Sequence, residues 1–582
     1  MITDNTPPSR QSLAREGNAD PDPIEVELLR NRLEEIAEEM NAVLTRAAYS
    51  TNISDRRDCS SAVLLPDATV LAQSASGTPL HLGVLPGCVR TILARYPTTT
   101  MHPGDAFLMN VPFPEGPGHL NDITLARPVF VDGEVVAIVA NQAHHVDVGG
   151  AVPGSIAPSS TEVYQEGIQI PPIRLFRGGV LDEDLEAFFL VNIRTPEVSR
   201  GDLKAQSAAN HVGEERVRAL FAGQSPTALH ARMRGLLDVS ERRMRDRLAG
   251  LPDGEYRAED SLSGPDGPVT IRVILTIRDG ALLADFSATD PQVAGPINCR
   301  PPTLLACLNY VAVALVDPGL SPNAGTLRPL SVVAPEGTLV SARHPASTVQ
   351  SNIVTTQRIC DVLLLALAAA LPGRVPAASS GTQNLLAVGG YDDVRGEPFT
   401  YMETHGGGAG AFPVRDGASV VHTHMTNTLN SPTEVIEQSF PLMIRRYGLE
   451  PDSEGAGRFR GGFGMHKTVR FLATARATLA VERITTRPWG LDGGEHAAAA
   501  QVWLERDGVR HDLPGRTTVD VQPGDELTLV TPGGGGFGPV AERLPAAVAR
   551  DVADGSVTAD RAQVTYGVAA PTTASGGAKA AP

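Results

Sequence analysis

The 582-residue sequence has no dense cluster of lysine and arginine, no Cys-x-x-Cys pair, no bilayer-length apolar run and none of the common nucleotide or nucleophile motifs. Each absence excludes something. Forty-nine basic residues stand against 66 acidic ones, for a formal charge of −17. A duplex-binding surface needs clustered cations to neutralise phosphates, so neither nucleic acid nor an anionic membrane is an expected partner. The acidic balance serves solubility. The five cysteines (Cys59, Cys88, Cys299, Cys307 and Cys360) are odd in number and scattered. That argues against a disulfide framework or a zinc ribbon and fits a reducing compartment. The N-terminal stretch lacks the apolar core of a signal peptide. The densest apolar runs, "LLACLNYVAVALV" and "VLLLALAAAL", are too short to span a bilayer and read as buried helices. A cytoplasmic location follows as the expectation.

Motif absences narrow the chemistry further. There is no G-x-x-x-x-G-K-[ST], and no G-x-G-x-x-G follows a strand in a βαβ unit, so the chain carries no visible nucleotide site. No G-x-S-x-G occurs, so no nucleophile elbow is visible. The glycine runs "HGGGAGAF" (405–412) and "TPGGGGFG" (531–538) read as tight turns. No repeat recurs at a fixed period.

What is present divides into segments. Residues 1–22 and 570–582 are polar or low-complexity and are expected to be disordered. Asp22 is a plausible N-cap and Pro23 fits the first helical position. Leu29, Leu33, Ile36, Met40, Val43 and Ala47 then form one apolar stripe that packs on its own domain. An N-terminal domain over 23–248 holds the candidate site and ends in a helical stretch, 212–248. A central domain over 249–400 holds alternating strands and the two buried helices. A glycine-rich, mostly β domain over 401–569 follows, closing in a short helix. The predicted class is α+β with several subdomains and mixed sheets.

The richest chemistry lies around one hairpin. "RPVFVDGEVVAIVANQA" is two apolar runs joined at Asp132-Gly133. His119 and Asp122 precede its first strand in "GHLNDITL"; His144, His145 and Asp147 end its second in "NQAHHVDVGG". Two imidazoles and carboxylates at one end of a hairpin suit Zn²⁺, Mn²⁺ or a similar ion. The alternative is histidines that cap strand ends on backbone carbonyls. A regular two-residue turn sets Asp122 opposite Ala143, on the face of His145; one bulge would shift it to His144, and Pro128 favours irregularity. Spacing alone leaves His144 and His145 open. Elsewhere, Asp55 and Asp58 in "SDRRDCSSAVL" read as a solvated turn with ion pairs, and His81 in "PLHLG" as a core histidine. His422 and His424 of "HTH" would share a strand face but lack a nearby acid.

Several stretches taken together resemble the hydantoinase B/oxoprolinase family, over about residues 24–567. They include "NISDRRDCSSAVL", "GHLNDITLARPVF", "NQAHHVDVGG", "SNIVTTQRICDVLL", "HGGGAGAFPVRDGASVVHTHMTNTLNSPTEVIE", "EGAGRFRGGFG" and "TPGGGGFG". The resemblance implies a B-type subunit of an ATP-dependent cyclic amide hydrolase that opens hydantoin, N-methylhydantoin or 5-oxoproline. It implies a hydantoinase A-type partner that binds ATP and Mg²⁺. It implies a divalent metal, Zn or Mn, held by Asp58, His119, Asp122 and His144. His145 and Asp147 become candidates for orienting a ligand or moving a proton. Related readings are an alpha-type subunit of a ketone carboxylase and a non-catalytic scaffold. "NVPF" (110–113) replaces the family's usual "NDPY", "GPGH" replaces "GGTH" and Cys59 replaces an aromatic, so the substrate class is left open.

Overall fold

The computed structural model describes residues 23–569. The expected disordered tails and the Asp22 cap lie outside the described residues. The chain is α+β, built on four sheets.

The first helix, α1 (Pro23–Ala47), buries Val26, Leu29, Leu33, Ile36, Met40 and Leu44. Leu44 takes the place expected for Val43, and Ala47 is exposed. The stripe follows a 3.6-residue period. Seven strands follow: β1 (Cys59–Leu64), β2 (Val70–Gln73), β3 (Ala106–Met109), β4 (Asp122–Val131), β5 (Glu134–His144), β6 (Ile173–Arg177) and β7 (Val180–Leu181). They form one antiparallel sheet in the order β2-β1-β5-β4-β3-β6-β7. Helix α2 (Pro79–Arg95) packs its Leu85, Val89 and Ile92 on one face. The other face meets α1, α3 (Pro196–Phe221) and α4 (Pro226–Ala249). The single helical stretch expected over 212–248 is thus two helices. "AGQS" separates them, with Ser225 capping α4 by accepting from Ala228 N–H and Pro226 at its first position.

The second sheet, in the order β11-β10-β9-β8, comprises β8 (Gly254–Ser263), β9 (Pro268–Arg278), β10 (Ala281–Asp285) and β11 (Leu330–Val333). Along β9, Val269, Ile271, Val273, Leu275 and Ile277 alternate inward, as a half-buried strand requires. The two apolar runs are α5 (Pro301–Val316) and α6 (Thr356–Ala370), both packed in this core. The π-turn extends the run read from the sequence as too short to span a bilayer: residues 351–370 are long and apolar enough to cross a membrane, yet most of them are buried in the fold. One turn of π-helix, Ser351–Thr355, leads into α6.

Two further sheets enclose one core. The first, in the order β13-β12-β16-β19, has β12 (Leu385–Asp392), β13 (Glu397–Glu403), β16 (Ala475–Ala480) and β19 (Arg516–Val521). The other, in the order β14-β15-β20-β17-β18, has β14 (Leu442–Leu449), β15 (Met465–Phe471), β17 (Gln501–Arg506), β18 (Val509–Asp512) and β20 (Glu526–Val530). The hairpin β12–β13 straddles residue 400, so the third sheet joins the central and C-terminal segments.

The glycine runs are not tight turns. Segments 406–411, 455–464 and 531–538 lie backbone against backbone: Gly408 N–H donates to Pro532 O, Gly462 N–H to Ala409 O and Gly534 N–H to Gly462 O. A Cβ on Gly534 would fall 1.9 Å from Ala409 O. At Gly534 glycine is needed for close approach, not for positive φ.

Candidate metal centre

The hairpin β4–β5 turns at Asp132 (φ 50°) and Gly133 (φ 83°), the geometry of a type I′ turn. Val131 pairs with Glu134 and Phe130 with Val135, but Val129 pairs with Ala137. Val136 is the extra residue of a β-bulge, and from there the register moves by one. Asp122 therefore faces His144, not Ala143. On the other side of β5, Cys59 pairs with Ala143, and the His144 N–H donates to Asp58 O at 3.0 Å. Asp58, just ahead of β1, thus lines up with His144 of β5 and Asp122 of β4 in one row across the sheet end. Side chains at such positions share a face. His119 joins them from the turn before β4.

Donor atoms of His119, Asp122 and His144 lie within 4.8 Å of one another, all buried. His119 Nε2 is 3.0 Å from Asp122 Oδ1 and 3.1 Å from His144 Nδ1; His144 Nδ1 is 3.0 Å from Asp122 Oδ1. The tautomer of His119 is fixed, because its Nδ1 lies 2.9 Å from Val349 O and a carbonyl can only accept. In the neutral ring Nε2 therefore carries the lone pair and faces a carboxylate and a second imidazole; in the imidazolium it donates to Asp122. His144 Nε2 is buried without a partner among the described residues. Three electron-pair donors this close need a proton or a cation among them, and two imidazoles with a carboxylate suit a divalent transition ion. Asp58 lines the same cavity, its Oδ1 accepting from Thr78 Oγ1 at 3.1 Å, but stands outside the tight group of three.

The surroundings hold the triad in place. Asn352, on the π-turn, donates to Asp122 Oδ2 at 2.9 Å. A Cβ on Gly118 would fall 1.8 Å from Asn352 Oδ1, so glycine before His119 lets the two segments meet. His81 Nε2 is 3.7 Å from Asp122 Oδ2, and its Nδ1 is 3.1 Å from Ser60 Oγ. Burial disfavours the Asp122 carboxylate, but His119 and hydrogen bonds from three histidines outweigh it and hold its pKa well below the usual range. Burial likewise opposes charge on His119; the Asp122 carboxylate outweighs it and lifts the imidazole to about 8.

His145 and Asp147, the candidates for orienting a ligand or moving a proton, do not line this cavity. Opposite parity turns His145 toward α3, where its Nε2 is 3.0 Å from Gln206 Oε1, and burial pushes its pKa down. Asp147 is consumed by the next loop, accepting from the N–H groups of Gly149, Gly154 and Arg194 and from Arg194 Nη1. Both anchor the strand end that carries His144. The "HTH" stretch is not a strand. His424 has φ 59° and bonds Asp361 Oδ1 and Ser379 Oγ, both at 2.9 Å. His422 is held neutral, its pKa pushed down to about 3 by burial and by the Arg56 charge.

Four contributors escaped sequence reasoning. His81 and Asn352 stand beside Asp122. Arg56, read as part of a solvated turn, is buried and lines the cavity. Glu166 is buried and accepts from Ser347 Oγ and Thr348 N–H, bracing the segment whose Val349 carbonyl orients His119. For His81, Asn352 and Glu166 the signal was weak because each reaches the site from another part of the chain; Arg56 sits beside Asp58, but nothing local shows its burial.

The hydantoinase B/oxoprolinase family model matches residues 22–540. An uncharacterized protein of Methanocaldococcus jannaschii is 37% identical over 94% of this chain and 96% of its own length. The putative B-type subunit of a D-/L-hydantoinase from a Pseudomonas strain is 32% identical, covering 94% and 95%. 5-Oxoprolinase 1 of Arabidopsis thaliana is also 32% identical over 89% of this chain, which spans 42% of that longer protein. Among solved structures, the ATP-dependent caprolactamase of Pseudomonas jessenii superposes with a TM-score of 0.87 at 29% identity, covering 95% of this chain and 97% of that one. Acetone carboxylase shares the fold, with a TM-score of 0.88 at 20% identity over 94% and 80% of the two chains. Sequence and fold agree that the chain belongs to the hydantoinase B/oxoprolinase family.

Proposed function

We propose that the chain is the B-type subunit of an ATP-dependent cyclic amide hydrolase and acts in the cytoplasm with an A-type subunit that binds ATP and Mg²⁺. The observation that carries this reading is the row Asp58, His144, Asp122 with His119, a donor set for a divalent ion in a small cavity of about 30 Å³. His119, Asp122 and His144 would hold the ion, Zn²⁺ or Mn²⁺, with Asp58 as a fourth ligand from the cavity wall. When bound, such an ion supplies Lewis acidity toward a carbonyl or a water.

The chain's own residues do the rest. Val349 O keeps one proton of His119 on Nδ1, so Nε2 is the nitrogen left for a metal ion once it displaces the second proton. Asn352 occupies Asp122 Oδ2 and leaves Oδ1 to the triad. Thr78 Oγ1 orients Asp58. Such supports are often worth about 10- to 100-fold in metal affinity or activity. The enclosing wall limits bulk water, which strengthens electrostatic interactions inside. His145 and Asp147 act as positioning residues through the backbone of the strand end.

Co-expression with an A-type partner tests the reading. Substrate-dependent ATP hydrolysis is expected with at least one of hydantoin, 5-oxoproline or a simple lactam. Stimulation by acetone with bicarbonate alone would overturn it.

A further inference from the structure

We infer that the cavity also contains an oxyanion-recognition site, centred on Arg56, facing the His119–Asp122–His144 triad. This deepens the proposed function and rests on reading the triad as a metal centre.

Arg56 is 1% exposed, among the most deeply buried large side chains of the chain. Burying a guanidinium is costly unless its charge is matched. Among the described residues, no carboxylate oxygen lies within 4.0 Å of it. Its partners are neutral: Asn52 Oδ1 and Met402 O, both at 2.9 Å from Nη1, and Thr404 Oγ1, which accepts from Nη2. Nε is buried with no partner among the described residues. Glu403, on the same strand end, is already engaged by Lys467 and by Tyr401. The guanidinium is thus held rigidly by neutral acceptors, with donor capacity left over.

Its position gives that capacity a use. Arg56 lines the cavity together with Asp58 and the triad, only two residues before Asp58 in sequence. Apart from those ligands the wall offers neutral groups, including Thr404, Thr426 and Gln383. His422, close enough to feel the Arg56 charge, stays neutral and so adds no competing cation. A divalent ion among the carboxylates would leave Arg56 as the unmatched charge of the cavity. The complementary ligand is an anionic oxygen group, which a guanidinium fork binds with two N–H donors. Ring opening of a cyclic amide leaves a carboxylate, and ATP-dependent activation of one places a phosphoryl group on it. Both have this chemistry.

The test needs no partner chain and no turnover. Inorganic phosphate and acetate are titrated calorimetrically into the full chain loaded with its divalent ion. Wild type is expected to bind at least one of them at a single site in the millimolar range or tighter, phosphate marking a phosphoryl subsite and acetate a carboxylate one. Arg56→Gln should weaken that binding by at least about tenfold and Arg56→Lys by less, while exposed Arg57→Gln leaves it unchanged. Equal affinity in wild type and both Arg56 variants overturns the inference, as does no binding to wild type. Should the Arg56 variants not fold, wild-type crystals grown with phosphate decide. An oxygen within about 3.5 Å of the guanidinium is expected, and phosphate elsewhere or absent is the contrary result. A chain that binds the anion but supports no amide-dependent ATP hydrolysis would contradict the proposed function and leave this inference standing.

Discussion

Val349 contributes only a carbonyl oxygen, yet it decides which nitrogen of His119 faces the cavity. Behind it stands Glu166, whose carboxyl is lifted to about 7 by burial, against hydrogen bonds from Ser347 and Thr348. Its Oε2 has no partner among the described residues. The folded-state pKa exceeds the unfolded value near 4.5, so ionising this group costs stability. The cost is absent below about pH 4.5, grows as pH rises and is complete above about pH 7. A shift of this size corresponds to roughly 3 kcal/mol. Glu166→Gln cannot ionise. Its melting temperature relative to wild type is expected to rise between pH 4.5 and pH 7 and to level off above. A difference that stays flat across that range would contradict the assignment. None of this was legible in the sequence, since an isolated glutamate in "YQEGIQ" carries no sign of its burial.

Elements show where pattern suffices and where it fails. The hairpin, its Asp-Gly turn and the alternation of β9 were readable, because period-two hydrophobicity and turn chemistry are local. Pro128 made a bulge plausible, but its place at Val136 was not readable, since nothing distinguishes that residue from its apolar neighbours. One extra residue was enough to exchange His145 for His144 as the partner of Asp122. The glycine runs misled for a related reason. Local rules equate glycine with turns, whereas segments 406–411, 455–464 and 531–538 meet as neighbours in space. Two substitutions separate these roles. Gly534→Ala places a Cβ against the Ala409 carbonyl, with backbone on both sides, and should destabilise by more than about 3 kcal/mol or prevent folding. Gly508→Ala has open space but φ 75°, and should cost only about 1–2 kcal/mol. Denaturant melts of the two chains check the order; equal losses would contradict the close-packed bundle.

Across the whole molecule, the centre sits where three parts of the chain meet. The first sheet supplies the row Asp58, His144 and Asp122; the π-turn before α6 supplies Asn352; the end of β13 supplies the wall at Met402 and Thr404. Four ligand candidates were legible through motif resemblance, because they recur in recognisable local strings. The supporting residues were not, because their contacts span separations such as Asp122 to Asn352. The central claim is that this convergence holds one divalent ion, and elemental analysis of the purified full-length chain tests it most directly. About one equivalent of Zn or Mn per chain is expected in wild type and in His145→Ala, with loss of most of it in Asp122→Ala. Equal metal content in wild type and Asp122→Ala would contradict the account.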